Sequence, residues 1–258
     1  MSAPLVFITG ASSGIGQALA LRFHRAGWRL ALVARRGAEL QAWVDAQGLD
    51  ANQASVYAAD VRDTRGIVHA GKECIARQGL PEAVVANAGI SVGIDTADFD
   101  DLEVMRSTFE TNNIGMAATF HPFVAPFRKR GSGRLVGIAS VAGIRGLPGH
   151  GAYCASKAAA ISYCESLRGE CAAAGVKVVT ILPGYIDTPL TRGNRYSMPF
   201  LMSADDFADR AFQAITAGDS YRVIPWQMGL MAKLLRLLPN ALFDKALAGR
   251  QRKHRQRR

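Results

Sequence analysis

The chain has 258 residues, 49% hydrophobic and 20% charged, which suffices for one sizeable core and argues against disorder. No apolar run reaches the length of a membrane span, and Met1 to Pro4 lead directly into an apolar segment without the regions of a secretory signal. The formal net charge is +10, but Arg250, Arg252, Lys253, Arg255, Arg257 and Arg258 supply six of it, so the basicity belongs to the tail and not to the body.

Leu5 to Ile8 is continuously apolar, as a strand covered on both faces should be. Thr9, Gly10, Ala11, Ser12, Ser13, Gly14, Ile15 and Gly16 follow, then a segment with Ile15, Leu19 and Phe23 on one helical face that ends at Gly27. A strand, a tight glycine turn and a helix N-terminus make an anion site, because unpaired N–H groups and the positive end of the helix dipole face it. The spacing is GxxxGxG rather than the commoner GxGxxG, and by itself it also fits a plain Gly/Ser turn. Arg29 to Ala34 predicts a second strand, with Arg35 and Arg36 at its end. An acidic residue there binds the ribose hydroxyls of NAD, whereas arginine accommodates the 2′-phosphate of NADP. Without a nucleotide, the two arginines are solvated residues opening the next helix.

Ala54 to Ala59 predicts a third strand leading to Asp60 and Val61, then a helix over Arg62 to Gln78. Ala83 to Ala86 predicts a fourth, before the turn Asn87, Ala88, Gly89. Leu102 to Lys129 reads as one long helix bent near Pro122 and Pro126. Asn112, Asn113 and Gly115 sit inside it against propensity, a mild mark of function. Strands over Gly133 to Ala139, Val176 to Leu182 and Tyr221 to Pro225 and helices over Tyr153 to Ala174 and Asp205 to Ala217 complete the pattern. Pro183, Gly184, Tyr185, Ile186, Asp187, Thr188 and Pro189 make a rigid loop, and the aperiodic stretch Leu190 to Met202 is where a substrate lid would sit. The alternation implies an α/β fold: a single-domain, Rossmann-like, doubly wound parallel sheet of about seven strands.

Ser140 to Lys157 runs from the end of the fifth strand through a Gly/Pro-rich loop into an Ala-rich helix. Tyr153 and Lys157 are four apart, hence on one helical face. A cation beside a phenol favours the phenolate, so Lys157 could bring Tyr153 into range as a general acid/base, with Ser140 holding a substrate oxygen. Alone, the pair also fits a half-buried aromatic beside a solvated lysine. Cys74, Cys154, Cys164 and Cys171 show no CxxC or metal-ligand spacing, so no metal is expected, and reduced, buried thiols in a cytoplasmic protein are.

TGASSGIG at Thr9 to Gly16, NAG at Asn87 to Gly89, Ser140, YCASK at Tyr153 to Lys157 and PGYIDT at Pro183 to Thr188 stand in the order and approximate spacing of the short-chain dehydrogenase/reductase family, which the chain resembles up to about Pro225. The resemblance implies hydride transfer between NADP(H) and a carbonyl/secondary-alcohol pair. It implies that Tyr153 exchanges the proton, Lys157 lowers its pKa and binds the nicotinamide ribose, Ser140 orients the carbonyl, and Asn112 holds a water linking Lys157 to solvent. Gly10, Gly14, Ile15 and Gly16 would border the pyrophosphate, with Ser12 and Ser13 in the same turn; Asp60 and Val61 would contact adenine; Ile186 and Thr188 would hold the carboxamide. Asn87, Ala88, Gly89, Pro183 and Gly184 belong to the same cofactor-binding set, and Arg35 and Arg36 would favour NADPH over NADH. Where the family often has a second asparagine before NAG, this chain has Ala86. The resemblance also implies a homodimer or homotetramer, paired through the helix around Asn112 and the one after Tyr153, where Ala155, Ala158 and Ala159 permit close approach.

The substrate is expected to be a small, lipophilic molecule, bound by loops after Ser91, Ser140 and Thr188, with Arg145, His150 and Arg192 as polar candidates. A nucleotide sensor without catalysis and a nucleic-acid binder acting through the tail are the competing readings; the tail lacks an aromatic platform or binding motif, which argues against the second. Residues 1–225 would form the catalytic unit, 226–249 an apolar helical extension and 250–258 a basic disordered tail. In the extension Leu230, Met231, Leu234, Leu235 and Leu238 share a helical face that could close over the pocket, join a subunit interface, or lie on a membrane with the tail against anionic headgroups.

Overall fold

The computed structural model describes residues 3–194, 196–249 and 255. Seven strands form one parallel sheet: β1 (Leu5–Thr9), β2 (Arg29–Ala34), β3 (Ala54–Ala58), β4 (Ala83–Ala86), β5 (Arg134–Ile138), β6 (Lys177–Pro183) and β7 (Tyr221–Ile224). Their spatial order is β3-β2-β1-β4-β5-β6-β7. The chain therefore starts mid-sheet, winds out to β3 and crosses back to β4. In an open sheet the crevice at such a reversal, beyond the C-terminal strand ends, is where ligands bind.

Alternation along the strands feeds two core layers. In β1, Val6 and Ile8 face one layer and Leu5 and Phe7 the other. The first layer is closed by α1 (Gly14–Arg25), α2 (Gly37–Ala46) and α8 (Ala204–Ala217), through Leu19, Phe23, Leu40 and Phe207. The second is closed by α3 (Thr64–Gln78), α5 (Gly115–Arg130) and α6 (Gly151–Ala172), through Ile67, Phe120, Phe123 and Leu167. Burying each such side chain contributes roughly 1.5–3 kcal/mol, and burial on both faces is why the strands read as unbroken apolar runs.

The segment expected as one helix from Leu102 to Lys129 is divided: α4 (Asp101–Phe109), a π-helical turn (Glu110–Ile114) and α5. The helix runs on through Pro122 and Pro126, and the irregularity lies upstream, at the asparagines. Gly71 of α3 makes room for Pro122, since a Cβ there would come within 2.5 Å of the ring. Gly115 has a packing cause too: its Cβ would lie 2.9 Å from the Val61 side chain.

A short helix, α7 (Pro189–Arg192), opens the aperiodic stretch, and its far end is pinned by Asp187 N–H donating to Met202 O (2.8 Å) and Met202 N–H donating to Tyr185 O (3.0 Å). Beyond β7 come α9 (Trp226–Leu237) and a second helix, α10 (Asn240–Leu247), that the pattern did not suggest. The five apolar residues expected to share one face of α9 are split by the structure. Met231, Leu235 and Leu238 are half-buried, Leu230 and Leu234 are exposed, and Met228, Gly229 and Ala232 take the buried side. A Cβ on Gly229 would lie 3.1 Å from Val223, so the small residues let α9 settle closely on β7 and turn the leucines outward. Of the tail only Arg255 is among the described residues, where it forms ion pairs with Asp98 and Asp101. No described helix is long and apolar enough to cross a membrane.

Candidate active site

After β1 the chain turns through Gly10 (φ +67°) and Gly14 (φ +55°) into α1, left-handed positions that favour glycine. Close approach adds a second constraint. A Cβ on Gly10 would stand 2.8 Å from Ala88 Cα, and one on Gly16 only 2.1 Å from Gly10 O. Asn87 pins this turn to the end of β4: its Nδ2 donates to Thr9 O (3.0 Å) and Gly10 O (3.2 Å), and its N–H and that of Ala88 donate to Thr9 Oγ1. Ala86 is buried within β4, so the side-chain part of this tie comes from Asn87. Ser13 holds the N-cap position without capping, which leaves first-turn N–H groups of α1 without a side-chain partner. Ser12 and Ile15 are half-buried at the rim. A glycine-bounded, donor-rich turn at the switch point fits the pyrophosphate of a dinucleotide.

The ends of β2 and β3 carry charge. Arg35 is exposed with its guanidinium 3.9 Å from Asp60, whereas Arg36 is engaged by Glu39 at 2.7 Å. Burial raises the Asp60 carboxyl, but hydrogen bonds from Arg62 and the charges of Arg62 and Arg35 outweigh it and hold the group below the usual carboxylate range. Val61 is buried beneath Gly115.

Ser140 lies two residues past the end of β5, where its Oγ accepts from Ala142 N–H (3.2 Å) and donates to Pro183 O (3.5 Å). Tyr153 and Lys157 stand one turn apart on α6. Burial pushes the Tyr153 phenol up to about 12, against a hydrogen bond with Ser140 that lowers it. Lys157 is buried, its Nζ donating to Ile138 O at 2.8 Å, and burial pulls its ammonium down to about 8. The lowering of the phenol expected from Lys157 is thus not what this geometry produces. The ammonium is turned to the Ile138 carbonyl, 5.8 Å from the tyrosine ring centroid, and desolvation drives both groups toward their neutral forms.

Asn112 is fully buried in the π-helical turn, a local widening frequent at functional sites. Its Oδ1 accepts from Ile90 N–H (2.9 Å), and its Nδ2 donates to Ile90 O (3.0 Å) and Ser156 Oγ (2.9 Å). Both amide hydrogens are thereby used, leaving a second Oδ1 lone pair for the expected water. Gly89 is what fits here, for a Cβ would lie 3.2 Å from Asn112 Oδ1 and 3.5 Å from Lys157 Nζ.

The loop after β6 closes the crevice. Thr188 overhangs the glycine turn, 3.1 Å from where a Cβ on Gly14 would be. Ile186 is buried in the core, with its carbonyl accepting from Thr191 Oγ1. Pro183 ends β6, and Gly184 packs on Met228 while its N–H donates to Ile224 O (2.8 Å). The structure therefore places the expected loop residues after the C-terminal ends of β1 to β6, with Asn112 on the π-helical turn and Tyr153 and Lys157 on α6.

Residues 4–198 match the family model for short chain dehydrogenases. The chain belongs to the short-chain dehydrogenase/reductase family. It is 37% identical to an uncharacterized oxidoreductase of Myxococcus xanthus, over 95% of this chain and 97% of that protein. With dehydrogenase/reductase SDR family member 7B of Bos taurus it shares 31% identity, over 97% of this chain and 82% of that protein. A short chain dehydrogenase from Burkholderia cenocepacia in complex with NADP superposes with a TM-score of 0.81 at 22% identity, over 96% and 98% of the two chains. The 3-ketoacyl-(acyl-carrier-protein) reductase from Brucella melitensis complexed with NADH gives 0.77 at 25%, over 85% and 94%. The protein is thus a short-chain dehydrogenase/reductase family oxidoreductase.

Beside Tyr153 this family member carries a cluster that the sequence did not reveal. His150 Nε2 lies 3.2 Å from the Tyr196 hydroxyl, and Tyr196 packs near Tyr185 with ring centroids 6.2 Å apart. Burial, with Tyr185 and Tyr153 as neighbours, raises the Tyr196 phenol. The stretch holding Tyr196 has no period, so only the aromatic residues in it offered a signal. Asn113, by sequence only a poor helix former, donates its Nδ2 to Ser156 O (2.8 Å), bracing α6 one residue before Lys157. Of the other polar candidates, Arg192 pairs with Asp187 at 2.9 Å, and Arg145 turns away to α9 and α10. All four cysteines are buried and free, and no metal-ligating cluster occurs among the described residues.

Proposed function

We propose that the protein is an NADP(H)-dependent oxidoreductase that interconverts a carbonyl and a secondary alcohol on a small lipophilic substrate, with Tyr153 as general acid/base. The observation that carries this reading is the hydrogen bond between the Tyr153 phenol and Ser140, with Lys157 one turn further along α6 and its Nζ beside Gly89. Bound there, the nicotinamide supplies or accepts the hydride. First-turn N–H groups of α1 would hold the pyrophosphate, Asp60 and Val61 would contact the adenine, and Lys157 would bind the nicotinamide ribose. Ile186 and Thr188 would hold the carboxamide. In reduction Ser140 Oγ orients the carbonyl oxygen and Tyr153 donates its proton, and a phenol raised to about 12 is fully protonated for that role at neutral pH.

Preference for NADPH rests on Arg35, which is exposed and held only loosely by Asp60. A lipophilic substrate is supported by the Tyr185–Tyr196 pair and by Leu190, Phe200 and Leu201, which are exposed on the lid stretch. A homodimer or homotetramer is supported by a groove between α5 and α6 lined by Ile114, Ala118, His121, Val124, Tyr163 and Leu167. Ala155 and Ala158 lie elsewhere, in a cleft they share with Phe243 and Asp244 of α10.

The test is oxidation of NADPH and NADH against steroids, acyl ketones and small keto acids. Turnover of a lipophilic ketone with NADPH favoured is expected. NADPH binding without turnover of any carbonyl would make the protein a nucleotide sensor instead.

A further inference from the structure

We propose that α9 lays its outer face on an anionic membrane surface, seating Trp226, Leu230, Leu234 and Leu237 in the headgroup boundary. At 100° per residue these positions fall within an arc of about 80°. They are 66%, 54%, 58% and 80% exposed, and Leu242 of α10 adds a further exposed leucine. Single exposed leucines are ordinary, but an unbroken stripe of large apolar side chains marks a contact surface.

The helix cannot hide this stripe by rolling. Its inner face is fixed by the close fit of Gly229 against Val223. Its C-terminal end is fixed by Arg145, whose Nη1 donates to the carbonyls of Leu235 and Leu238 and whose Nη2 donates to Asn240 Oδ1 (3.1 Å). The guanidinium also stacks on Phe243 of α10, 3.7 Å from the ring centroid. A lid that closes leucines over the substrate would have to break these contacts.

Charge selects the occupant. Residues 226–258 hold nine basic residues and one acidic residue, Asp244, and so carry eight of the ten net positive charges. Lys233 borders the stripe; Lys233, Arg236 and Lys245 are exposed and, among the described residues, have no ion-pair partner. Arg255 is committed to Asp98 and Asp101. A second copy packed on this face by two-fold symmetry would set cationic helices against each other, and a nucleic acid would take the charges but leave the leucines in water. An anionic lipid surface satisfies both the stripe and its basic surroundings.

Co-sedimentation of the full chain with phosphatidylcholine vesicles, with and without phosphatidylserine, tests this directly. At low salt the protein should pellet with the anionic vesicles, with binding to neutral vesicles or at high salt weaker by about tenfold or more. The double substitution Leu230→Gln, Leu234→Gln should lower partitioning by about tenfold or more at an unchanged urea midpoint. Brominated lipid should quench Trp226, a quenching absent in Trp226→Phe. Protein left in the supernatant with anionic vesicles at low salt overturns the proposal. So does a double variant that binds as well as the unmodified chain, which would assign binding to the tail alone. A double variant whose mass by light scattering halves while its vesicle partitioning stays unchanged would assign the stripe to a subunit interface.

Discussion

Around the glycine turn the decisive contacts are between backbone atoms, with Gly10 against Ala88 and Gly16 against Gly10 O, whereas around Tyr153 they join side chains to carbonyls of distant elements. Lys157 reaches Ile138, Asn112 reaches Ile90, and Arg145 reaches Leu235 and Leu238. Backbone approach tolerates no Cβ, so the cofactor half is spelled out in short motifs. Side-chain reach can be met in many ways, so outside the YCASK motif the half around Tyr153 is harder to read from short motifs.

The sharpest way to break this contrast is a methyl group in each half. Gly16→Ala puts a Cβ against a carbonyl that cannot yield, and should cost about 3 kcal/mol or more; Gly146→Ala, in the loop after Ser140 with nothing within 4 Å of its Cβ, should stay within about 0.5 kcal/mol. Urea midpoints decide, and equal losses would erase the distinction.

Lys157 gives the next effect. Its ammonium titrates at 10.5 when unfolded and about 8 when folded, so the unfolded chain holds the proton more tightly and stability rises with pH between those values. At about 1.4 kcal/mol per pH unit the full gain approaches roughly 3 kcal/mol. Tyr153, raised from 10.0 to about 12, contributes stability that is present below pH 10 and lost above it, so the useful window is pH 8 to 10. The stability of the unmodified protein minus that of Lys157→Met should grow across it, and a flat difference would mean that the ammonium is not desolvated.

Arg145→Ala should cost about 2 kcal/mol and expose the 238–240 link to protease, with NADPH affinity unchanged. Coupled loss of NADPH affinity would show that the two halves are not independent. Apart from the Gly146→Ala control, the smallest effect expected is that of Arg35→Ala, an exposed contact, which should weaken NADPH about tenfold while sparing NADH. Fluorescence titration with both cofactors measures it, and equal weakening would remove Arg35 from any part in the preference.

The same contrast explains what the sequence made legible. β2 and β4 have the bounds that their apolar runs suggest, and the turn from Thr9 to Gly16 follows its motif, because these features are local. The π-helical turn showed only as asparagines in poor helical positions, since its cause is the distant partners Ile90 and Ser156. Periodicity showed that α9 is apolar but not which side faces in, because Gly229 and Ala232, the residues that choose, are small. Tyr196 meets His150 only through the fold. The altered expectation for Tyr153 has a similar origin: helical spacing sets which face Lys157 occupies, while burial and the Ile138 carbonyl set where its charge goes.

The central claim is that Tyr153 exchanges the proton while the rest of the crevice holds the cofactor. Turnover and NADPH binding measured side by side in Tyr153→Phe test it most directly, because the substitution keeps the ring and removes only the hydroxyl. Turnover should fall by about two to four orders of magnitude with NADPH affinity kept within about twofold; near-normal turnover would contradict the claim.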